Sequence, residues 1–285
     1  MWSGKMVSIA STEIESEVEW PAPASNAALA WHDLADGFAK VWMWWALALQ
    51  DIRLRYRGSV LGPFWLTIST LVMVIAMGVI YSQLFRMEIH TYLPFLTLGL
   101  ITWQWLSATI GEGCDIFVRE AAVIQQVPIP FSIQAYRNVA RNFVVLAHNL
   151  VIVPIGLVVF AVPVDWHIIE IIPGFVLLAI NGVWISILLG LLSTRFRDVP
   201  PIVASFLQVL FFMTPIIWPA EMLGRWRAVA TYNPLFAAVD VVRAPLLGVP
   251  PAETSWIILL VMTILGCGLT FAVFARFRSR IAYWI

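Results

Sequence analysis

Side chains able to do acid, base, metal or nucleophile chemistry are few in this sequence, and they are scattered. The four histidines, His32, His90, His148 and His167, show no H-x-x-x-H spacing and no paired carboxylate, so they do not mark a metal site. Cys114 and Cys267 stand alone in apolar surroundings, with no partner for a bridge and no C-x-x-C pair, and read as packing residues. A phosphate-cradling loop needs a lysine after its glycines. The only lysines are Lys5 and Lys40, neither in a G-x-x-x-x-G-K-[ST] setting, so the chain is not expected to bind ATP in that way. Carboxylates buried in a membrane would signal ion coupling. Glu112 and Asp115, in Gly111-Glu112-Gly113-Cys114-Asp115, are the candidates, and a solvated helix end at the cytoplasmic face is the expectation for both. Sodium coupling through backbone carbonyls stays open. His148, inside an apolar run, is expected to make a hydrogen bond between helices, with His90 and His167 as solvated loop residues at the outer surface.

Aromatic surface is abundant instead: 15 Trp, 17 Phe and 6 Tyr. Trp and Tyr favour the headgroup level of a bilayer. Trp103, Trp105 and Trp184 fall too deep in their apolar runs for that role, which leaves interhelical packing or a surface on which sugar rings stack.

The elements that would position these residues follow from the charges. With 61% hydrophobic and 12% charged residues, the chain reads as an all-α integral membrane protein, and its net charge of zero does not mark it as a nucleic-acid binder. A hydrocarbon core about 30 Å thick needs about 20 apolar residues per crossing. The gaps between charges predict six transmembrane helices, over residues 64–85, 93–112, 142–162, 171–194, 199–217 and 255–275. Pro200, Pro201, Pro215 and Pro219 make the fifth the least regular. Residues 218–251 are expected to form short re-entrant helices between spans five and six, tolerated where protein or a water-filled cavity covers the backbone. Residues 1–30, with Glu13, Glu15, Glu17 and Glu19 and no continuous apolar stretch, read as a disordered tail without a cleavable signal. Residues 31–52 read as one N-terminal amphipathic interfacial helix anchored by Trp42, Trp44 and Trp45. Lys5, Lys40, Arg53, Arg55, Arg57, Arg119, Arg137, Arg141, Arg195, Arg197, Arg276, Arg278 and Arg280 fall inside if both termini are cytoplasmic. Only Arg86, Arg225, Arg227 and Arg243 then fall outside, as the positive-inside rule demands.

An ordered set of short motifs accompanies this layout: Arg53-Leu54-Arg55-Tyr56-Arg57-Gly58 with Gly62-Pro63-Phe64-Trp65 at the first span, Gly99-Leu100-Ile101-Thr102-Trp103-Gln104-Trp105 in the second, and Arg197-Asp198-Val199 before the fifth. Thr214-Pro215-Ile216-Ile217, Asn233-Pro234 and the basic, aromatic end Arg276 to Trp284 follow. Over about Leu34 to Ile285 the chain resembles the permease subunit of ABC-2 type polysaccharide exporters, the Wzm-type O-antigen, capsule and teichoic-acid transporters, with its C-terminus closer to the O-antigen branch. The resemblance implies a homodimer in the bacterial inner membrane that moves a lipid-linked polysaccharide outward. It implies no cofactor on this chain and no enzymatic activity of its own: two copies of a separate ATPase subunit would bind ATP and Mg. It also implies a coupling helix in the loop 117–131 that docks on that ATPase, with Glu120, Val123, Ile124 and Gln126 as contacts; Gln126 and Val127 stand where relatives often carry a Lys and an aromatic. Under this reading Trp103 and Trp105 line a glycan channel, Arg53, Arg55 and Arg57 meet lipid headgroups, and Tyr232, Asn233 and Arg243 lie near the outer exit. An ABC-2 drug or small-lipid exporter and a membrane lipid-sugar transferase are the alternatives.

Overall fold

The computed structural model describes residues 25–62, 64–160 and 165–285, and all of its regular structure there is helical. The first 24 residues of the expected tail lie outside the described residues, but the segment expected to be disordered ends early. Ser25 caps a helix at the Ala28 N–H (3.2 Å), and α1 runs Asn26–Ala39. α2 follows as Val41–Arg55, so the single interfacial helix expected over 31–52 is two helices joined by a bend at Lys40. No glycine or proline marks that break, because its cause is tertiary: each arm is fastened to a different part of the bundle, as described below. A turn with two left-handed glycines, Gly58 (φ 83°) and Gly62 (φ 54°), leads from α2 into the first long helix.

Among the described residues, five helices are long and apolar enough to cross a membrane. They are α3 (Phe64–Phe85), α4 (Ile89–Gly113), the stretch Ile133–Gly156, α8 (Ile171–Arg195) with the 3₁₀ turn Trp166–Glu170 before it, and α12 (Glu253–Phe277) running into the C-terminal turn. Between the second and third lies the short α5 (Ala121–Gln126). The third crossing begins nine residues before its expected start at 142. Arg137 and Arg141 are helical residues paired with partly buried carboxylates, so charge there does not mean loop. It consists of α6 (Ile133–Leu150) and α7 (Ile152–Val159); Pro154 cannot donate back to Leu150, which places the interruption at Val151.

The expected fifth span, 199–217, is helical only as α9 (Val199–Met213). Its 15 residues rise about 22 Å at 1.5 Å each, short of the roughly 30 Å hydrocarbon core. The helix starts with Pro200 and Pro201 in its first turn, where they are tolerated, and stops because Thr214, preceding Pro215, is extended (ψ 136°). Residues 218–251 hold a 3₁₀ turn (Ala220–Trp226), α10 (Arg227–Thr231) and α11 (Pro234–Leu246). α11 is an interior helix: every residue from Leu235 to Leu246 except Asp240 is buried, packed among α4, α8 and α12. The chain closes with α13 (Ile281–Trp284).

Two apolar cores result. The larger joins α4 and α11 with parts of α3, α6 and α8, and the smaller gathers Ala30, Ile116, Phe117, Ile124, Leu191, Phe274 and Ile281 at the other end. Within the bundle, short polar side chains tie helices where lipid offers no hydrophobic drive. Gln104 Oε1 accepts from Thr70 (3.2 Å) and Asn149 (3.1 Å), and Asn181 donates to Thr263 (2.7 Å).

Candidate functional site

The densest polar structure in the chain lies where α2, α4 and α6 meet. Arg141, nearly buried, donates to Asp51 (2.7 Å), to Glu112 (2.7 and 3.2 Å) and to Asn138 (2.8 Å). Arg137, one turn earlier, holds Asp51 through a two-pronged contact of 2.6 and 2.9 Å and reaches Glu120 at 3.0 Å. Arg55 completes the set at Glu112 Oε1, 2.9 Å. Three guanidiniums thus face three carboxylates, and Asn138 extends the network to Thr109 O and Ser186 Oγ, both at 3.0 Å. Burial pushes the Asp51 carboxyl upward, but hydrogen bonds and charge from Arg137 and Arg141 outweigh it and hold it below the ordinary 3.8. Glu112 is therefore an ion-paired junction between helices, not the solvated helix end expected. Asp115 stays half exposed beside Arg119, 3.9 Å away.

A second clasp fixes α1. The buried Asp33 accepts from the backbone N–H groups of Phe131 (3.1 Å) and Ser132 (3.0 Å) and from Arg278 (2.8 Å), while Ser132 Oγ donates back to Asp33 O (2.7 Å). Arg278 also lies over the Phe131 ring at 5.3 Å. One carboxylate thereby joins α1, the loop before α6 and the end of α12. Sequence reasoning missed this network as well as the first. The readable signal was two arginines four apart in a chain with so few charges, a spacing that puts both on one helix face.

Between the clasps sits α5. Glu120, expected to contact an ATPase, is engaged inward by Arg137, and Ile124 is buried in the smaller core. Val123 and Gln126 are exposed, together with Val127. Gln125 donates to the terminal carbonyl of Ile285 (3.3 Å), and Trp284 lies under the Arg195 guanidinium (5.5 Å), so the C-terminus braces the same turn. Of the three arginines expected at headgroups, Arg53 and Arg57 are exposed, whereas Arg55 is partly committed to Glu112.

The deep aromatics do not face open space in the protomer. Trp103 is 7% and Trp105 4% exposed; the first packs on Phe211 of α9 (5.6 Å) and the second on Phe143 of α6 (4.8 Å). Within one copy of the chain they pack between helices, and the exposed rings on α9 are Phe206 and Phe212. Trp184 lies across Gly266, where any side chain would collide with its indole, and donates to Asn181 (2.8 Å). His148 does not bridge helices through its ring, whose Nδ1 pairs with Val144 O in its own helix (2.8 Å); its backbone oxygen accepts from Thr67 (3.1 Å). His167 is half-buried against Glu170 (2.7 Å) and is not a free loop residue, whereas His90 is exposed.

At the opposite end of the bundle, separate sequence motifs converge on the bend after α9. Tyr92 donates to Ile217 O (2.7 Å), the buried Arg243 to Pro215 O (2.9 Å), and Asn233 to Thr214 Oγ1 (3.0 Å) while capping α11 at the Leu235 N–H (2.9 Å). Gly99 is required there, since a Cβ would stand 3.0 Å from Ile216 O. Arg243 pairs with no carboxylate among the described residues and rests on the Phe95 ring at 4.1 Å. Tyr232 is exposed beside this bend.

Comparison with known protein families matches residues 43–247, well over half of the chain, to the family described as ABC-2 type transporter. The chain belongs to this family. Among curated relatives, an O-antigen export system permease protein RfbA of Klebsiella pneumoniae is 26% identical over 197 residues, covering 67% of this chain and 74% of its own. A second K. pneumoniae protein of that name is 27% identical with the same coverage, and one from Myxococcus xanthus is 25% identical over 62% of this chain and 68% of its own. The ABC-2 family region starts within α2 and ends just after α11. It therefore contains the whole charge knot and the whole bend clasp of this ABC-2 chain, while the Asp33 clamp and the C-terminal brace lie across its borders.

Proposed function

We propose that this chain is the membrane subunit of an ABC exporter carrying a lipid-linked polysaccharide outward across the bacterial inner membrane, O-antigen foremost and capsule next. It works as a homodimer with two copies of a separate ATPase subunit that bind ATP and Mg. The observation that carries the cargo is the set of O-antigen export permeases matched over two-thirds of this chain. A sequence without a P-loop lysine fits an energy source on a partner.

In this reading α9 is the fifth of six crossings, α10 and α11 form the re-entrant region on the outer side, and both termini are cytoplasmic. Ile202, Phe206, Val209 and Met213 are all exposed and recur along α9 at steps of four, three and four, which gives one apolar stripe suited to a facing copy. Because Trp103 and Trp105 are enclosed, the glycan path runs along side chains that one protomer leaves open, with Phe206 and Phe212 as stacking surfaces and Trp103 backing Phe211. The coupling contact is the exposed face of α5, Val123 and Gln126, while Ile124 carries its displacement into the core shared with α8, α12 and α13. Arg53 and Arg57 are left for anionic headgroups, and Tyr232, Asn233 and Arg243 shape the outer exit.

Deleting the gene and restoring it with and without its cognate ATPase gene tests this reading. Surface polysaccharide should vanish, lipid-linked glycan should accumulate inside, and only the pair should restore export. Unchanged surface glycan, with altered drug sensitivity instead, overturns it.

A further inference from the structure

Four arginines at the α5 end of the bundle, Arg195, Arg197, Arg276 and Arg280, are exposed, and none makes an ion pair or a side-chain hydrogen bond among the described residues. Three of them are gathered by rings. Arg195 stands 5.5 Å from the Trp284 ring, Arg276 and Arg280 each 5.8 Å from the Phe277 ring, and the two rings pack on each other at 5.7 Å. The end of the chain builds this cluster: after the 3₁₀ turn Arg278–Arg280, α13 buries Ile281 and folds Trp284 back against the ends of α8 and α12. A guanidinium held over an aromatic face keeps its planar fork of N–H donors free, and that fork matches a phosphate. Within residues 195–198 and 276–285 the one carboxylate is Asp198, exposed next to Arg197, and Asp33, which reaches this end of α12, is already engaged by Arg278. Setting Asp198 against Arg197 leaves the three ring-held charges unmatched.

The level of the cluster identifies what faces it. On α12, Ile257, Val261, Leu265 and Leu269 are 48–67% exposed and recur every four residues along one side, which Ala272 and then Arg276 continue. From Ile257 to Arg276 the helix rises about 28 Å, close to the roughly 30 Å of a hydrocarbon core. On α8, the exposed Leu192 stands one turn before Arg195. Apolar surface of bilayer length that ends in unmatched guanidiniums is complementary to acyl chains that end in phosphates. A soluble acidic protein would match the charges and leave the apolar side uncovered.

We infer that Arg195, Arg276 and Arg280 form a binding site for the phosphate of an anionic phospholipid, in the leaflet at the α5 end of the molecule. The acyl chains lie along the exposed side of α12, and the headgroup bridges α12 to α8 across Trp284. Because the carbonyl of Ile285 accepts from Gln125 of α5 (3.3 Å), the lipid steadies that turn as well. The site does not depend on which cargo the chain carries.

Native mass spectrometry of the full chain, titrated in detergent with phosphatidylglycerol or phosphatidylcholine, tests it through the affinity for the first lipid bound. The wild type should take phosphatidylglycerol more tightly than phosphatidylcholine. Arg280→Gln should weaken phosphatidylglycerol about five-fold, the equivalent of the ~1 kcal/mol one basic residue contributes near an anionic surface. Arg276→Gln combined with Arg280→Gln should remove the preference and leave phosphatidylcholine unchanged. Both side chains are exposed and make no hydrogen bond among the described residues, so these variants keep the fold, which an unchanged unfolding midpoint verifies. Arg225, an exposed guanidinium 5.9 Å from the single Trp226 ring, supplies the control, and Arg225→Gln should leave first-lipid affinity as it is. A photocrosslinker on Arg280→Cys, in a Cys114→Ser, Cys267→Ser background, should capture phospholipid in cell membranes. No lipid preference in the wild type, an equal loss in Arg225→Gln, or adducts to another protein, to a second copy or to a polyprenyl-linked glycan overturns the site.

Discussion

Replacing Arg141 by methionine removes the centre of the charge knot while keeping an unbranched apolar stem. Its side chain is 6% exposed and contacts Asp51 at 2.7 Å and Glu112 at 2.7 Å. Breaking a buried pair costs about 3–5 kcal/mol when a charge is left uncompensated. Here Asp51 keeps Arg137 at 2.6 Å and Glu112 keeps Arg55 at 2.9 Å, so the expected loss lies at the lower end, about 3 kcal/mol. Arg55→Met is the internal control. Arg55 is 43% exposed and Glu112 retains Arg141, so the surface-pair range of about 0–1 kcal/mol applies. The two variants should thus differ by about 2 kcal/mol, roughly a 30-fold change in the unfolding equilibrium. Unfolding in a graded mixture of mild and denaturing detergent, followed by tryptophan fluorescence, reads the difference. Proteolysis within α2 reports whether that helix releases first. Equal loss in Arg141→Met and Arg55→Met would show that the knot is a solvated charged face and not a junction, and would remove the argument that α2 is latched to α4 and α6.

Two further outcomes follow from the same geometry. Val123→Asp should uncouple ATP hydrolysis from export with the fold intact, whereas Ile124→Asp should lower stability by several kcal/mol because it buries a charge in the smaller core; normal export by a stable Val123→Asp variant would dismiss α5 as the docking element. Asp51 has a folded pKa below 3.8, so its contribution is complete above that value and fades as the pH falls through the lower folded one. Docking of α2, read from Trp44 and Trp45 fluorescence, should hold from pH 8 to about 5 and loosen only below about 4, and a transition near neutrality would contradict the pairing.

Why some of this was legible in the sequence and some was not follows from one rule applied to two kinds of charge. Reading a charge as a break between apolar runs comes within two residues of the ends of the helices α3, α8 and α12, because Arg57, Arg86, Arg195 and Arg276 pair with no carboxylate among the described residues. The same rule cut nine residues from the third crossing, where Asp51, Glu112 and Glu120 converge on Arg137 and Arg141 and let guanidiniums sit in a packed helix. It gave no sign that Arg243 is enclosed against Phe95 and Pro215. Asp51 stands 86 and 90 residues before Arg137 and Arg141, and the four-residue spacing of the two arginines tells that they share a helix face but not what that face meets. Aromatic depth is a separate matter: Trp103 and Trp105 lie deep in their apolar runs, but only the positions of Phe211 and Phe143 show that both rings are packed within one copy of the chain. The motifs that carry the family likeness, Gly99, Thr214 to Ile217 and Asn233-Pro234, meet at one backbone bend that a missing Cβ, one tyrosine and one arginine hold in place. The likeness therefore records how the chain turns after α9, and the residues that would touch a cargo are to be sought among those the bend leaves exposed.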